Sequence, residues 1–296
     1  MNKQNIKPFL KYVGGKTSIL ENILTEFPKE IENYHEIFVG GGSVLLGVLQ
    51  KKDIKINGKI YAYDINEELI YTYINIQKDY LSVYNILNKL INTFTNCNIE
   101  KGNKKPENEE ESISSKESYY YWIRKQYNNL TDKRTPLCSA YFIFLNKTCF
   151  RGLYRIGPNG FNVPYGNYKN PGIVDKNHLK TISQLIKDVH FQCLNFDISL
   201  KNAKNTDFIY LDPPYFPIKK TSFVDYSCKK FPESYHNKLF EILKNSSFNF
   251  VLSNIKCDKI NEEFKEKYIK EIIVPRKINS KNPKEKVIEV IIKNFK

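Results

Sequence analysis

A short apolar run, Ile37-Phe38-Val39, stops at Gly40-Gly41-Gly42-Ser43, and residues 44–49 then follow with helical spacing. Strand, glycine turn and helix in that order constrain the fold. The turn brings a helix start and its unpaired backbone N–H groups to the end of a buried strand, the arrangement that receives nucleotide-like ligands. Lys59-Ile60-Tyr61-Ala62-Tyr63 reads as a second strand ending in Asp64, followed by a helical pattern over 66–80. Alternating strands and helices predict an α/β fold of nucleotide-binding type.

The rest of the chain continues that pattern with one interruption. Residues 17–27 read as a helix opened by Gly14-Gly15-Lys16, and strands resume near Phe191 and at 208–211, 248–252 and 288–292. Between them, 119–129 and 137–145 have helical character, and an aromatic, Gly-rich and basic loop runs from 146 to 172. The expected organisation is a core domain of residues 1–75 and 189–296, with a mostly helical module at 76–188 inserted into it. Residues 100–118 are polar and nearly free of apolar side chains, which predicts a flexible surface loop or a disordered insert.

Charge and cysteine usage narrow the partners. Lys and Arg exceed Asp and Glu by 46 to 32, a net charge of +14, which suits a polyanion; Lys-rich codon usage is the other source of such an excess. Six irregularly spaced cysteines and four histidines form no zinc pattern, so no metal is expected, and the thiols suit a reducing cytoplasm. No apolar run approaches the ~20 residues of a membrane span, and no membrane partner is expected. Gly14-Gly15-Lys16-Thr17 has the end of a phosphate loop, but the required first glycine falls at Leu10, which argues against an NTPase.

The sharpest chemistry lies where Phe208-Ile209-Tyr210-Leu211 runs into Asp212-Pro213-Pro214-Tyr215. Each proline fixes its own φ and restricts the residue before it, so the Asp212 carboxylate and the Pro213 carbonyl form a rigid pair of acceptors. A planar exocyclic amine, such as N6 of adenine, presents two N–H donors to such a pair. Tyr215 offers a π-face to the base. The structural alternative is a plain turn, with Asp212 capping and Tyr215 filling core. Lys16 can meet a ligand carboxylate or be a solvated lysine at a helix start. Asp64 can accept from ribose hydroxyls or cap the next helix.

In order, Pro8-Phe9-Leu10-Lys11-Tyr12-Val13-Gly14-Gly15-Lys16, Phe38-Val39-Gly40-Gly41-Gly42-Ser43, Tyr63-Asp64-Ile65-Asn66, the loop at 146–166 and Asp212-Pro213-Pro214-Tyr215 resemble the successive motifs of the Dam-type, D12 class adenine-N6 DNA methyltransferases of the α group. The resemblance runs from about Pro8 to Phe295. Ile37 stands where the family often has proline and Tyr12 where it has tryptophan. It implies a Rossmann-like methyltransferase core that uses S-adenosylmethionine, with an inserted DNA-recognition domain. It implies cofactor contacts from Tyr12, Lys16, Phe38, Gly40, Gly42, Asp64, Phe196 and Asp212, and catalysis by Asp212, Pro213, Pro214 and Tyr215. The target adenine would be flipped out of double-stranded DNA and methylated directly, with Phe216 or Phe231 near Tyr215. Phe150 would be the wedge in the base stack, Arg155 the guanine reader, and Leu153 and Pro164 apolar base contacts, with Arg151 in the same loop. Arg276 and Asn279 would touch the DNA backbone. GATC is the target this pattern implies, and a monomer or weak dimer in the cytoplasm is the expected form. The alternatives are an N4-cytosine methyltransferase, which would favour S-P-P-Y, and a non-catalytic basic nucleic-acid-binding protein; pairing with a restriction enzyme stays open.

Overall fold

The computed structural model describes residues 6–98, 101–216, 231–275 and 286–295. Arg276 and Asn279 lie outside the described residues. The main sheet is built, in chain order, from β1 Tyr34–Glu36, β2 Ile60–Asp64, β3 Val189–Cys193, β4 Phe208–Leu211, β5 Asn249–Ile255, β6 Tyr268–Pro275 and β7 Lys286–Lys293. The principal helices are α1 Ser43–Gln50, α2 Glu67–Thr95, α3 Lys116–Asn129, α4 Pro136–Thr148, α5 Lys176–Leu185, α6 Phe196–Lys201, α7 Glu233–Lys244 and α8 Asp258–Glu263. Among the described residues no helix is long and apolar enough to cross a membrane.

The strand order is β3-β2-β1-β4-β5-β7-β6. β1 pairs in parallel with both β2 and β4, β4 pairs in parallel with β5, and β7 and β6 add an antiparallel edge. The order therefore reverses between β1 and β4, and in open α/β sheets the crevice beyond the carboxyl ends of the strands at such a reversal is where ligands bind. The chain is a mixed α/β protein with a mostly parallel central sheet, as expected of a Rossmann-like methyltransferase core. The β1 pairing falls at Tyr34–Glu36, three residues before the expected strand. Residues 37–39 prolong it through single bonds, Ile37 N–H to Tyr210 O (3.0 Å) and Val39 N–H to Tyr63 O (2.9 Å).

Two compact units share the chain: residues 1–15, 40–50 and 66–191 in the first, and 16–39, 51–65 and 192–296 in the second. These bounds differ from 1–75 and 189–296 against 76–188. A cut at 75 would divide α2, whose helix packs on α4 and α5 along its length and draws 66–75 with it. Asn75 Nδ2 donates to Arg134 O and Ser139 Oγ, and Gln77 Nε2 donates to Ile186 O and Val189 O. α2 breaks its helical geometry once, at Asp79, whose carboxylate accepts from the Leu81 and Ser82 amides and so restarts the helix.

In the second unit both sheet faces are covered, which is why β4 is buried at every position. Ile209 and Leu211 point with Phe250, Leu252, Val290 and Ile292 into a core closed by Leu239, Phe240 and Leu243 of α7 and by Ile260 and Phe264. On the other face Phe27 packs edge-on against Phe208 (4.7 Å between centroids) and tilted against Tyr210 (5.6 Å).

The polar stretch at 101–118 departs from the expectation of a flexible loop. It holds a short helix, Glu109–Ser112, capped by Asn108, and it contains the start of α3, capped by Ser115. Ser112, Ser115 and Ser118 are buried, and Asn103 N–H donates to Ser118 Oγ at 2.8 Å. Polar side chains that cap helices and satisfy neighbouring backbone groups order this segment where apolar burial is scarce.

Gly42 has φ +72, and a Cβ there would lie 2.6 Å from the Tyr73 hydroxyl, itself donating to Gly40 O at 3.0 Å; Gly14 has φ +81 with open space around it. Gly14→Ala should cost only the left-handed backbone penalty, about 1–2 kcal/mol. Gly42→Ala adds overpacking of about 1–3 kcal/mol. Thermal unfolding should give a distinctly lower Tm for Gly42→Ala, and equal Tm values would refute this packing.

Candidate active site

The site is assembled at the carboxyl ends of β1 and β4, in the second unit. β4 delivers Asp212 one residue beyond Leu211, and Pro213 is buried directly behind it. Lys16, at the start of a short turn of helix, Lys16–Ser18, places its ammonium 2.7 Å from Asp212 Oδ2. The lysine side chain is 4% exposed and the aspartate 19%. The same ammonium lies over the Tyr215 ring, 4.8 Å from its centroid. Lys16 is thus no solvated helix-start lysine, and Asp212 caps none of the helices among the described residues.

Burial pushes the Asp212 carboxyl up to about 6 although the Lys16 charge pulls it down, with the Glu289 carboxylate adding a smaller upward push. Burial, then the charges of Asp212 and Glu289, hold the Tyr215 phenol well above its usual range. Tyr215 Oη and Glu289 Oε2 are both buried, and the Glu289 carboxylate lies close enough to the phenol to act on it.

Behind the motif sits a polar layer that sequence reasoning missed. Tyr210 Oη and Ser253 Oγ share a hydrogen bond of 2.9 Å, and Asn254 Oδ1 accepts from Phe216 N (3.4 Å) and Ile255 N (2.8 Å). Ser253 and Asn254 are both buried. The available signal was two polar residues ending the apolar stretch Phe250-Val251-Leu252, since a polar pair inside a buried strand needs partners. Glu289 left a comparable signal, a lone acid inside the apolar run 287–292.

Phe38 and Phe196 come together with Phe231 as an aromatic trio, with centroids 6.0 Å, 5.7 Å and 5.4 Å apart. Phe231 therefore packs here, and Phe216 stacks edge-on with His236 at 5.2 Å. Asp64 ends β2 half-buried. It does not cap α2: Asn66 does, accepting from Leu69 N at 3.2 Å.

The first unit holds the other candidates. A Cβ on Gly40 or Gly41 would lie 3.0 Å or 2.9 Å from Tyr12 atoms, so the close approach these glycines permit is that of the Tyr12 ring. In the loop at 146–172, Phe150 N–H donates to Pro164 O (2.8 Å) and Gly166 N–H to Thr148 O (2.9 Å), which joins the two arms. Phe150 is 44% exposed, Pro164 is exposed, and the Arg151 guanidinium lies 5.1 Å over the Phe150 ring. Leu153 is half-buried. Arg155 is tied to Asn162, by Nε to Oδ1 at 2.5 Å and Nη2 to the backbone oxygen at 2.9 Å. Asn146 clasps the loop to the amino-terminal segment, accepting from Lys11 N (2.8 Å) and donating to Lys11 O (2.7 Å). Among the described residues, no cluster of three or more His, Cys, Asp or Glu could hold a metal ion.

An α/β sheet with a buried acid beside its strand reversal defines a class of ligand-binding proteins, and comparison with known proteins gives the particular family. A sequence model of the D12 class N6 adenine-specific DNA methyltransferases matches residues 12–282. The Type II methyltransferase M.MjaIII of Methanocaldococcus jannaschii is 37% identical, over 98% of this chain and 99% of its own length. The Type II methyltransferase M1.LlaDCHI of Lactococcus lactis subsp. cremoris is 30% identical, over 99% and 97%. A protein named DNA adenine methylase from Salmonella typhi is 30% identical, over 81% and 76%. The chain belongs to the D12 class of N6 adenine-specific DNA methyltransferases. That decides against an N4-cytosine enzyme and against a non-catalytic binding protein.

The Asp212 carboxyl is held at about 6, so both of its oxygens are free to accept only above that pH. Below that pH the group takes up a proton and loses acceptor capacity. kcat/KM, which reports the free enzyme, should therefore fall about tenfold per unit below an acidic limb near 6. A limb near the ordinary aspartate range, about 4, would contradict the effect of burial.

Proposed function

We propose that this enzyme flips adenine out of double-stranded GATC and methylates its N6 with S-adenosylmethionine as donor. The observation that carries the reading is the Asp212 carboxylate at the carboxyl end of β4, beside the strand reversal, with the Tyr215 ring next to it. In this reading Asp212 and the Pro213 carbonyl accept from the two N6 hydrogens, Pro214 stiffens the turn, and Tyr215 stacks on the base. Hydrogen bonds to both N–H groups favour a more tetrahedral nitrogen, whose lone pair is then available for direct transfer without a covalent intermediate. Alignment of this kind contributes on the order of 7–11 kcal/mol in favourable cases.

The residues at the carboxyl ends of β1, β2 and β4 fit the cofactor chemically. Asp64 suits ribose hydroxyls, the Phe38 and Phe196 rings suit an adenine, Lys16 suits a carboxylate, and Asp212 suits a neighbouring cation. S-adenosylmethionine supplies, when bound, an electrophilic methyl group on a sulfonium. Tyr12, Gly40 and Gly42 complete the proposed cofactor set.

Residues 76–188 are proposed to read the DNA. Phe150 serves as the wedge, with Arg151 over it; Arg155 reads guanine, Leu153 and Pro164 touch base edges, and Arg276 and Asn279 meet the backbone. The net charge of +14 supports a polyanionic partner. The pairing of Arg155 with Asn162 presets the guanidinium fork, which favours bidentate contact with guanine O6 and N7.

Methylome sequencing of DNA from cells expressing the protein tests the reading: N6-methyladenine confined to GATC is expected, and another adenine-containing site would overturn the target. Arg155→Ala should lose ~1–3 kcal/mol of discrimination at one guanine while still demanding the central A·T pairs. Uniform weakening across all sites would instead mark Arg155 as a phosphate contact.

A further inference from the structure

We propose that Lys16 is a stand-in for the substrate: its ammonium occupies the seat of the adenine N6 amine on Asp212 and Tyr215, and the base enters only as Lys16 leaves. The inference rests on the reading that Asp212 and Tyr215 receive the flipped adenine.

The geometry carries it. A flipped adenine needs an N–H donor on the Asp212 carboxylate and a group lying over the Tyr215 ring. Lys16 Nζ makes both contacts at once, at 2.7 Å from Oδ2 and 4.8 Å from the ring centroid. An ammonium 4.8 Å over the Tyr215 ring takes the space in which a stacked base would lie on that face, so the two cannot share it. A counter-ion serving only the charge of Asp212 would have no need to cover the ring.

Two physical consequences follow. Burial raises the Asp212 carboxyl and Lys16 lowers it, so the stand-in keeps the acceptor ionised while no base is present. Lysine is suited to the task because its charge rides on a flexible four-carbon stem with three donors, and it can leave without movement of the backbone. The exchange also selects chemistry. An incoming base must repay the lost ammonium with its own N–H donors, and a base bearing a carbonyl oxygen at that position presents an acceptor to a carboxylate. Hypoxanthine should therefore fail to displace Lys16.

The first measurement uses a duplex with 2-aminopurine at the target position and no cofactor. This probe lacks a 6-amine and should displace Lys16 poorly, so its fluorescence should stay low with the wild-type enzyme and rise several-fold with Lys16→Met. The acidic limb of kcat/KM should move up by about 1–3 pH units in the same variant, because Asp212 loses its counter-charge. Fluorescence at the wild-type level in folded Lys16→Met overturns the proposal, whatever happens to cofactor affinity. The second measurement needs no neutral variant. The 15N ammonium resonance of Lys16, assigned by its loss in Lys16→Arg, should move when wild-type enzyme binds a duplex with adenine at the target and stay when the target is hypoxanthine. A resonance unmoved by the adenine duplex overturns the stand-in. Asp212→Asn separates the two readings: wild-type turnover there would defeat the catalytic assignment itself, whereas an inactive Asp212→Asn beside an unmoved Lys16 signal defeats only the stand-in.

Discussion

A carboxylate withdrawn from water needs a counter-charge, and the placing of Asp212 against Lys16 is the interaction around which this enzyme is arranged. Burying an ion costs several kcal/mol, and the cost is offset only by a well-placed partner. The partner comes from 196 residues earlier in the chain. What brings the two together is the parallel sheet, in which β1 lies beside β4 and the strand order turns back on itself. The polar layer of Tyr210, Ser253 and Asn254 then holds the chain on either side of the motif, so that the acidic corner rests on side-chain hydrogen bonds as well as on proline stiffness.

The first unit solves a different problem, that of presenting exposed aromatic and cationic groups from a loop without letting it wander. Its answer is a set of backbone bonds between the arms at 148–150 and 164–166, together with the Asn146 clasp on Lys11. Gly152, at φ +64, lets the loop pass so near Lys11 that an added Cβ would stand 2.5 Å from the lysine Cβ. Rigid support under an exposed Phe150 and Pro164 suits the DNA-reading role proposed for this loop, since ordering a loop upon binding weakens the complex.

Much of the fold was legible in the chain. Apolar runs bounded by glycine or acid marked the parallel strands, and 3.6-residue spacing marked α1, α3 and α4 close to their observed limits. The differences between expectation and structure have physical causes. The β1 pairing slid to Tyr34–Glu36 because His35 and Glu36, polar in sequence, are buried with partners: Glu36 accepts from Tyr34 Oη at 2.7 Å and His35 meets Asp207 at 3.1 Å. The polar stretch at 101–118 is ordered by capping and side-chain hydrogen bonds, which hydrophobic pattern does not register. The expected boundary at 75 lies inside α2, whose packing on α4 and α5 keeps the helix within one compact unit.

By itself the sequence determined the chemistry on offer: a stiff acidic corner followed by an aromatic ring, a glycine turn behind a strand, an acid at the next strand end, and a basic aromatic loop. Those are local properties of covalent geometry and residue type, and they do not depend on what lies across the fold. Only the tertiary structure decided which groups face one another. It put the Lys16 ammonium on Asp212 and over Tyr215, brought Glu289 to the buried phenol, gathered Phe38, Phe196 and Phe231 into one cluster, and bound Arg155 to Asn162. Strand order and side-chain direction set such pairings, and neither is written in the spacing of residues along the chain.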